Sequence, residues 1–324
     1  MLFTEHAEHP LTYRLPGNGK GFPLLIEVGW EKDICRFISS HRREITARLS
    51  HKGALLLRGW DIGSAASFNQ AVLSFTGETL AYHQRTSPRT EVGDKVYTST
   101  DYPKNQVIHL HNESSYATEW PLYIAFFCLV PPQQGGETPI ADVRQVINKL
   151  SLSTVARFRE KGLLYVRNMV DWLGLPWQEV YQTNDRQAVE ALLRRQHVGY
   201  EWKGPDHLRI SWKRPAFQVH PVLGKEVWFN HCYFYHPVNQ NPQLLQLVDR
   251  EDLPFSVYYG DGSEIEADVF EELQTAYGQS TSTLPWQKDD ILLMDNMLIA
   301  HARQPYEGER KILVSMANPV AVAR

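Results

Sequence analysis

A chain of 324 residues, 43% hydrophobic and 22% charged, can bury a sizeable core, and its net charge of −4 offers no basic face to a nucleic acid. Three scattered cysteines, Cys35, Cys128 and Cys232, exclude a disulfide framework and fit a reducing cytoplasm. No apolar run approaches the roughly 18–20 residues of a spanning helix, and no basic-then-apolar leader opens the chain, so neither a membrane partner nor export is expected.

The first helical signal is "EKDICRFISSHRREITARLSHKG", where Ile34, Phe37, Ile38, Ile45 and Leu49 follow a helical period and Gly53 marks the stop. "GALLLRGW" then reads as a strand, and "SFNQAVLSF" as a helix with Ser67 as its N-cap. The apolar run "YIAFFCLV" is a strand with Cys128 as a small core residue. Residues 143–161 read as one or two helices stopped by Gly162. "LLYVRNMV", "LRISW" and "EVWFN" are strands, interrupted by the helical "DRQAVEALLRR". "SEIEADVFEELQTAY" is a helix opened by a capping box from Ser263 to Glu266. "DILLMD", "MLIAHA" and "RKILVSMA" are the last strands.

Strands dominate the middle and the C-terminal end, with no regular β-α-β alternation and no Gly-rich phosphate or dinucleotide loop. The expected fold is therefore mainly β with flanking helices, a jelly-roll or barrel core. No repeat or low-complexity linker divides the chain, so residues 1–324 are expected to form one domain.

The chemistry concentrates in "HLHNES", residues 109–114. If this stretch is extended, His109, His111 and Glu113 share one face, because residues two apart on a strand do. Imidazole with carboxylate is a ligand mixture that borderline divalent metals accept. By periodicity alone His109 and His111 are equally placed. A third ligand has to come from elsewhere, and the best placed is His301 at the end of "MLIAHA", after the "DN" turn signal. Two histidines and one carboxylate make the facial triad of non-haem Fe(II) oxygenases, which leaves positions open for cosubstrate and oxygen. A nearby arginine suits a dicarboxylic cosubstrate because its planar fork binds carboxylate bidentately. His231 and His236 in "WFNHCYFYHP" lie five apart, which makes them a poor metal pair.

From about Leu57 to Asn318 the chain resembles the TauD/TfdA family of Fe(II)- and 2-oxoglutarate-dependent dioxygenases, most closely its SyrP-like, clavaminate synthase-like branch. The segments that carry the likeness are "LHNESSY", "GGETPIADVR", "GLPWQEVYQTNDR", "VWFNH", "VYYGDGSEIE", "LPWQKDDILLMDN" and "IAHARQPYEGERKILVSMA". The resemblance implies a double-stranded β-helix, the cupin-like distorted jelly-roll. It implies Fe(II) held by His111, Glu113 and His301, with His109 a neighbour, and 2-oxoglutarate and O2 as cosubstrates. Thr138 matches the threonine that bonds the 2-oxoglutarate carboxylate, and Arg310 the arginine that pairs with its far end. Arg310 follows His301 more closely than the family's arginine usually does, and alignment by strand pattern makes Lys311 the alternative. Asn230 and His231 match a segment near the substrate, and Arg144 follows the "TPIAD" segment as a further candidate contact.

By the same resemblance the substrate is a small amino-acid-like molecule, free or tethered to a carrier protein in trans, in natural-product or nonribosomal peptide metabolism. Related halogenases replace the metal carboxylate with a small residue, so Glu113 favours hydroxylation, with desaturation or cyclisation as alternatives. A zinc or manganese cupin-like enzyme and a non-catalytic binding relative are the rival classes. Self-association into a homo-oligomer stays open.

Overall fold

The computed structural model describes residues 22–81, 89–100 and 102–322. Its core is a double-stranded β-helix. The larger sheet has seven strands in the order Leu24–Glu27, Ala54–Arg58, Ile291–Asp295, Glu119–Val130, Lys311–Ala321, Val96–Thr98 and Glu91–Gly93. Facing it is a four-stranded sheet in the order Thr281–Ser282, Ile140–Asp142, Ile299–Arg303 and Ile108–His111.

The continuous apolar run of Glu119–Val130 follows from this layering, since a strand covered on both faces has no solvent side to keep polar. Phe127 turns outward and stacks on Phe68 of the helix Ala65–Thr76, with ring centroids 5.2 Å apart. Phe126, its neighbour, turns inward and meets the His301 ring at 5.1 Å. A third sheet, Gly199–Trp202, Leu208–Arg214, Leu163–Met169 and Phe255–Tyr259, carries a second apolar cluster with the helix Ala267–Ser280.

Most sequence-expected elements form, and the differences lie at their ends. The first helical run is two helices, Ile34–Ser40 and Arg42–Lys52, broken at His41. Gly53 ends the second with φ +78, and a Cβ there would lie 2.5 Å from Ile299 Cδ1, so glycine is required both for its backbone and for close packing. The next helix is capped by Ser64, not Ser67; the Ser64 hydroxyl accepts from the Ser67 amide at 3.1 Å. The expected capping box at Ser263 does not form: Ser263 bonds Asp261, and Glu266 itself occupies the N-cap of Ala267–Ser280. Asx turns compete for serine side chains with helix caps, and here the turn wins. Among the described residues, no helix is long and apolar enough to cross a membrane.

Candidate metal centre

The strand Ile108–His111 ends at His111, so Glu113 is not on it. Two-residue periodicity therefore holds for His109 and His111 only. What brings Glu113 back is Asn296, which is fully buried at the turn after Ile291–Asp295. The Glu113 amide donates to Asn296 Oδ1 at 2.8 Å, and Asn296 Nδ2 donates to the carbonyls of Glu113 and Pro121, both at 2.9 Å. The Asn112 side chain donates to the Asn296 carbonyl at 2.6 Å. Behind the clamp, Asp295 is held by the buried His220, Nε2 to Oδ2 at 2.8 Å. The His220 Nδ1 accepts the amides of Val222 and Leu223 at 3.2 Å, so Nε2 carries the proton.

The two histidines meet through sheet register. His301 in Ile299–Arg303 pairs directly with His111, and their rings lie 4.4 Å apart. One donor atom each from His111, Glu113 and His301 then falls within 4.8 Å of the others. His111 Nδ1 lies 2.8 Å from the His109 carbonyl, which can only accept, so the proton is on Nδ1 and Nε2 keeps its lone pair. Thus His109 contributes its backbone, while its side chain lines the cavity. His301 makes no side-chain hydrogen bond among the described residues, and its Nδ1 is buried without a partner.

Burial lowers the pKa of His111 despite the opposing pull of Glu113, and holds His301 well below the usual histidine range, with His111 and Arg89 acting in the same direction. Both rings are therefore neutral at physiological pH, the form in which an imidazole can bind a metal. Arg89, which sequence reasoning did not single out, donates to Glu113 Oε2 at 2.7 Å, a charge-assisted contact between two buried side chains. A carboxylate has a second oxygen to offer a metal. Two imidazoles, one of them with a buried nitrogen that has no hydrogen-bond partner among the described residues, and one carboxylate together fit a divalent cation.

The three residues open into a cavity of about 450 Å³. Thr138 and Arg310 line it, as do His109 and His231. Arg310 is brought close by the "GG" turn: Gly136 has φ +69, and a Cβ there would meet Tyr306, Pro132 and the Arg310 side chain at 2.9–3.0 Å. Arg310 Nε donates to the Gly136 carbonyl at 2.8 Å, while its terminal nitrogens reach Ser99 Oγ and Thr138 Oγ1 only at 3.5 Å. Burial, reinforced by Arg303, lowers its pKa to about 10, which leaves it charged at neutral pH. Thr138 Oγ1 accepts from Trp286 Nε1 at 3.2 Å, which leaves its own hydroxyl proton to donate.

Of the remaining sequence candidates, His231 lies on the cavity wall, and Lys311, Asn230 and Arg144 lie apart from it. Lys311 is exposed at the start of its strand and is not among the residues lining the cavity. Asn230 is buried, but its amide is committed to the Ala216 carbonyl and the Cys232 amide. Arg144 is bound by Asp142 at 2.7 Å and reaches the Ser50 carbonyl, away from the cavity wall. His231 is on the wall, with Nδ1 2.9 Å from Ser115 Oγ and its ring 5.4 Å from that of His111. Burial holds its pKa well below the histidine range, so it too is a neutral ring.

Residues 28–316 match the family described as Taurine catabolism dioxygenase TauD, TfdA family. The dapdiamide synthesis protein DdaC of Enterobacter agglomerans is 37% identical over 296 residues, which is 90% of this chain and 89% of that protein. A clavaminate synthase-like protein of Arabidopsis thaliana is 28% identical over 291 residues, 87% of this chain and 86% of that one. Among solved structures, PvcB, an Fe, alpha-ketoglutarate dependent oxygenase from an isonitrile synthetic pathway, shares the fold with a TM-score of 0.51 at 15% identity, covering 90% of this chain and 84% of that chain.

Proposed function

The chain belongs to the TauD/TfdA dioxygenase family, and from that membership we propose that it is an Fe(II)- and 2-oxoglutarate-dependent oxygenase that hydroxylates an unactivated C–H bond of an amino acid. The observation that carries this reading is the convergence of His111, Glu113 and His301 in one cavity with Thr138 and Arg310. We place the enzyme in the SyrP-like branch, serving natural-product biosynthesis, a reading supported by its likeness to a dapdiamide synthesis protein over nearly the whole chain. Residues 1–324 then act as one catalytic domain on a substrate that is free or bound to a carrier protein in trans.

Bound together, Fe(II), 2-oxoglutarate and O2 supply the oxidising power to break an unactivated C–H bond. His111, Glu113 and His301 hold the iron. The His109 carbonyl keeps the proton on His111 Nδ1, and Asn296 keeps the Glu113 backbone in place. Arg310 and Thr138 take the far carboxylate of 2-oxoglutarate; the guanidinium terminus has only long protein contacts, and the threonine has a proton to give. Phe126 packs against His301 and Phe234 against His111, at 5.1 Å and 4.9 Å, and they would give the iron an apolar surrounding. Glu113 fills the position that a halogenase leaves for chloride, which favours hydroxylation.

Anaerobic titration with Fe(II) and 2-oxoglutarate tests this. A weak visible charge-transfer band should develop only when both are present, and succinate should form once air is admitted with a substrate. Iron retained without any band on adding 2-oxoglutarate would sink the cosubstrate assignment.

A further inference from the structure

Four arginines line the cavity: Arg89, Arg167, Arg303 and Arg310. Three are tied to the protein. Arg89 pairs with Glu113, Arg303 donates to the carbonyls of Tyr102 and Gln106, and Arg310 donates to Gly136. Arg167 is different. It lies in the strand Leu163–Met169, opposite Ile210 on one neighbouring strand and Phe255 on the other. Its exposure is 8%, and its guanidinium sits 5.2 Å from the Phe255 ring centroid. Among the described residues it has no hydrogen-bond or ion-pair partner.

A guanidinium carries five donors, and those of Arg167 are not sealed off: it lines the cavity, and its nitrogens keep contact with solvent while no described residue supplies an acceptor. A ligand in the cavity that brings acceptors can therefore reach them. The cavity wall is mainly apolar, with Leu173, Leu175, Leu244 and Phe255, and it also carries the amides of Asn168 and Asn239, so the body of such a ligand would be largely apolar. Arg167 also lines an adjoining cavity of about 660 Å³, whose wall shares Arg89 and Tyr116 with the first.

We propose that Arg167 is the receptor for the substrate's carboxylate, so that the substrate is a carboxylic acid with an apolar body. This rests on the oxygenase reading above and narrows it. A substrate tethered to a carrier through that same carboxyl would bring a neutral thioester, which cannot answer a buried cation. The acid is therefore free, at least at the carboxyl seated on Arg167.

The full-length protein, loaded anaerobically with Fe(II) and saturating 2-oxoglutarate so that Arg310 is occupied, would be titrated calorimetrically with isocaproate and with its neutral isostere isocaproamide. Wild type should bind the acid at least about 30-fold more tightly than the amide, and Arg167→Gln should erase the preference while keeping the charge-transfer band. Equal affinity for the two probes in wild type, no measurable binding of the acid, or undiminished binding of the acid by Arg167→Gln overturns the assignment. Absence of the band in wild type, visible before either probe is added, is failure of the cosubstrate reading, and the inference falls with it. A second variant separates a receptor from a structural cation. Ligand-free Arg167→Met should unfold at no lower urea concentration than wild type, since it removes a buried charge without a protein partner. A clear fall in its midpoint overturns the assignment.

Discussion

The metal end of the cavity and its outer wall are built by opposite rules. At the metal end almost every polar group is answered by the protein: His111 by the His109 carbonyl, Glu113 by Arg89 and Asn296, and Asp295 by His220. Among the described residues, the buried atoms left without a hydrogen-bond partner here include Asn112 Oδ1 and His301 Nδ1, and His301 is where a cation would bind. On the outer wall the strand carrying Arg167 offers a cation with an aromatic face beside it and no hydrogen-bond or ion-pair partner among the described residues. The difference teaches that the metal end is organised before any ligand arrives, whereas the wall is completed by one. Preorganisation favours chemistry at a fixed centre, and an unanswered charge favours selection of what is brought to it.

The comparison breaks most severely at the metal. His301→Ala should abolish iron retention and lower kcat/KM by at least about 1,000-fold, since it removes one of the three proposed ligands. Iron content after gel filtration checks this, and stoichiometric iron in the variant would contradict the ligand set. Next in size is Arg310→Gln, which should raise the KM for 2-oxoglutarate about 100-fold with the iron content unchanged. Lys311→Gln serves as its control and should leave that KM within about 2-fold, because Lys311 lies exposed outside the cavity wall.

Asn296→Ala tests how far preorganisation depends on one turn. It strands the Glu113 amide and two carbonyls in a buried place, which should cost about 2–4 kcal/mol of unfolding free energy and weaken iron binding together. Stability lost without any effect on iron would mean that the clamp supports the fold but not the ligand.

The smallest effect is that of pH on the metal-free protein. His111, His231 and His301 have folded pKa values below the usual range because they are buried, and burial, with Arg250 beside it, lowers His236 from 6.5 to about 4. A lowered histidine pKa means that the unfolded chain takes up protons the folded chain refuses. Stability is therefore intact above pH 7 and is lost progressively as pH falls from about 6.5 toward 4. The urea midpoint should drop between pH 7.5 and pH 5; an unchanged midpoint would mean that these rings are solvated.

How much of this was legible in the sequence depends on how far each signal reaches along the chain. "YIAFFCLV", "DILLMD" and "RKILVSMA" are strands by composition, and they became adjacent members of the larger sheet. The pair His111 and Glu113 was visible as a motif, but strand periodicity was the wrong account of it, because the strand stops at His111. Asn296 was visible only as half of a "DN" turn, and no local pattern tells that its amide reaches Glu113. Arg89, Ser99 and Arg167 left no signal at all: a single arginine or serine in a short strand or loop reads as a side chain that faces solvent.

Composition, residue type and short-range periodicity thus pointed to a strand-rich fold with imidazole and carboxylate side chains near residue 111, and His301 beyond them, as candidate ligands. Only the tertiary structure decided that His301 lies in register with His111, that Asn296 returns Glu113 to them, and that Arg310 is tied while Arg167 is not. The reason is physical. Propensity and periodicity act over a few neighbouring residues, whereas register, burial and the answering of a buried charge depend on partners that meet only when the sheets close.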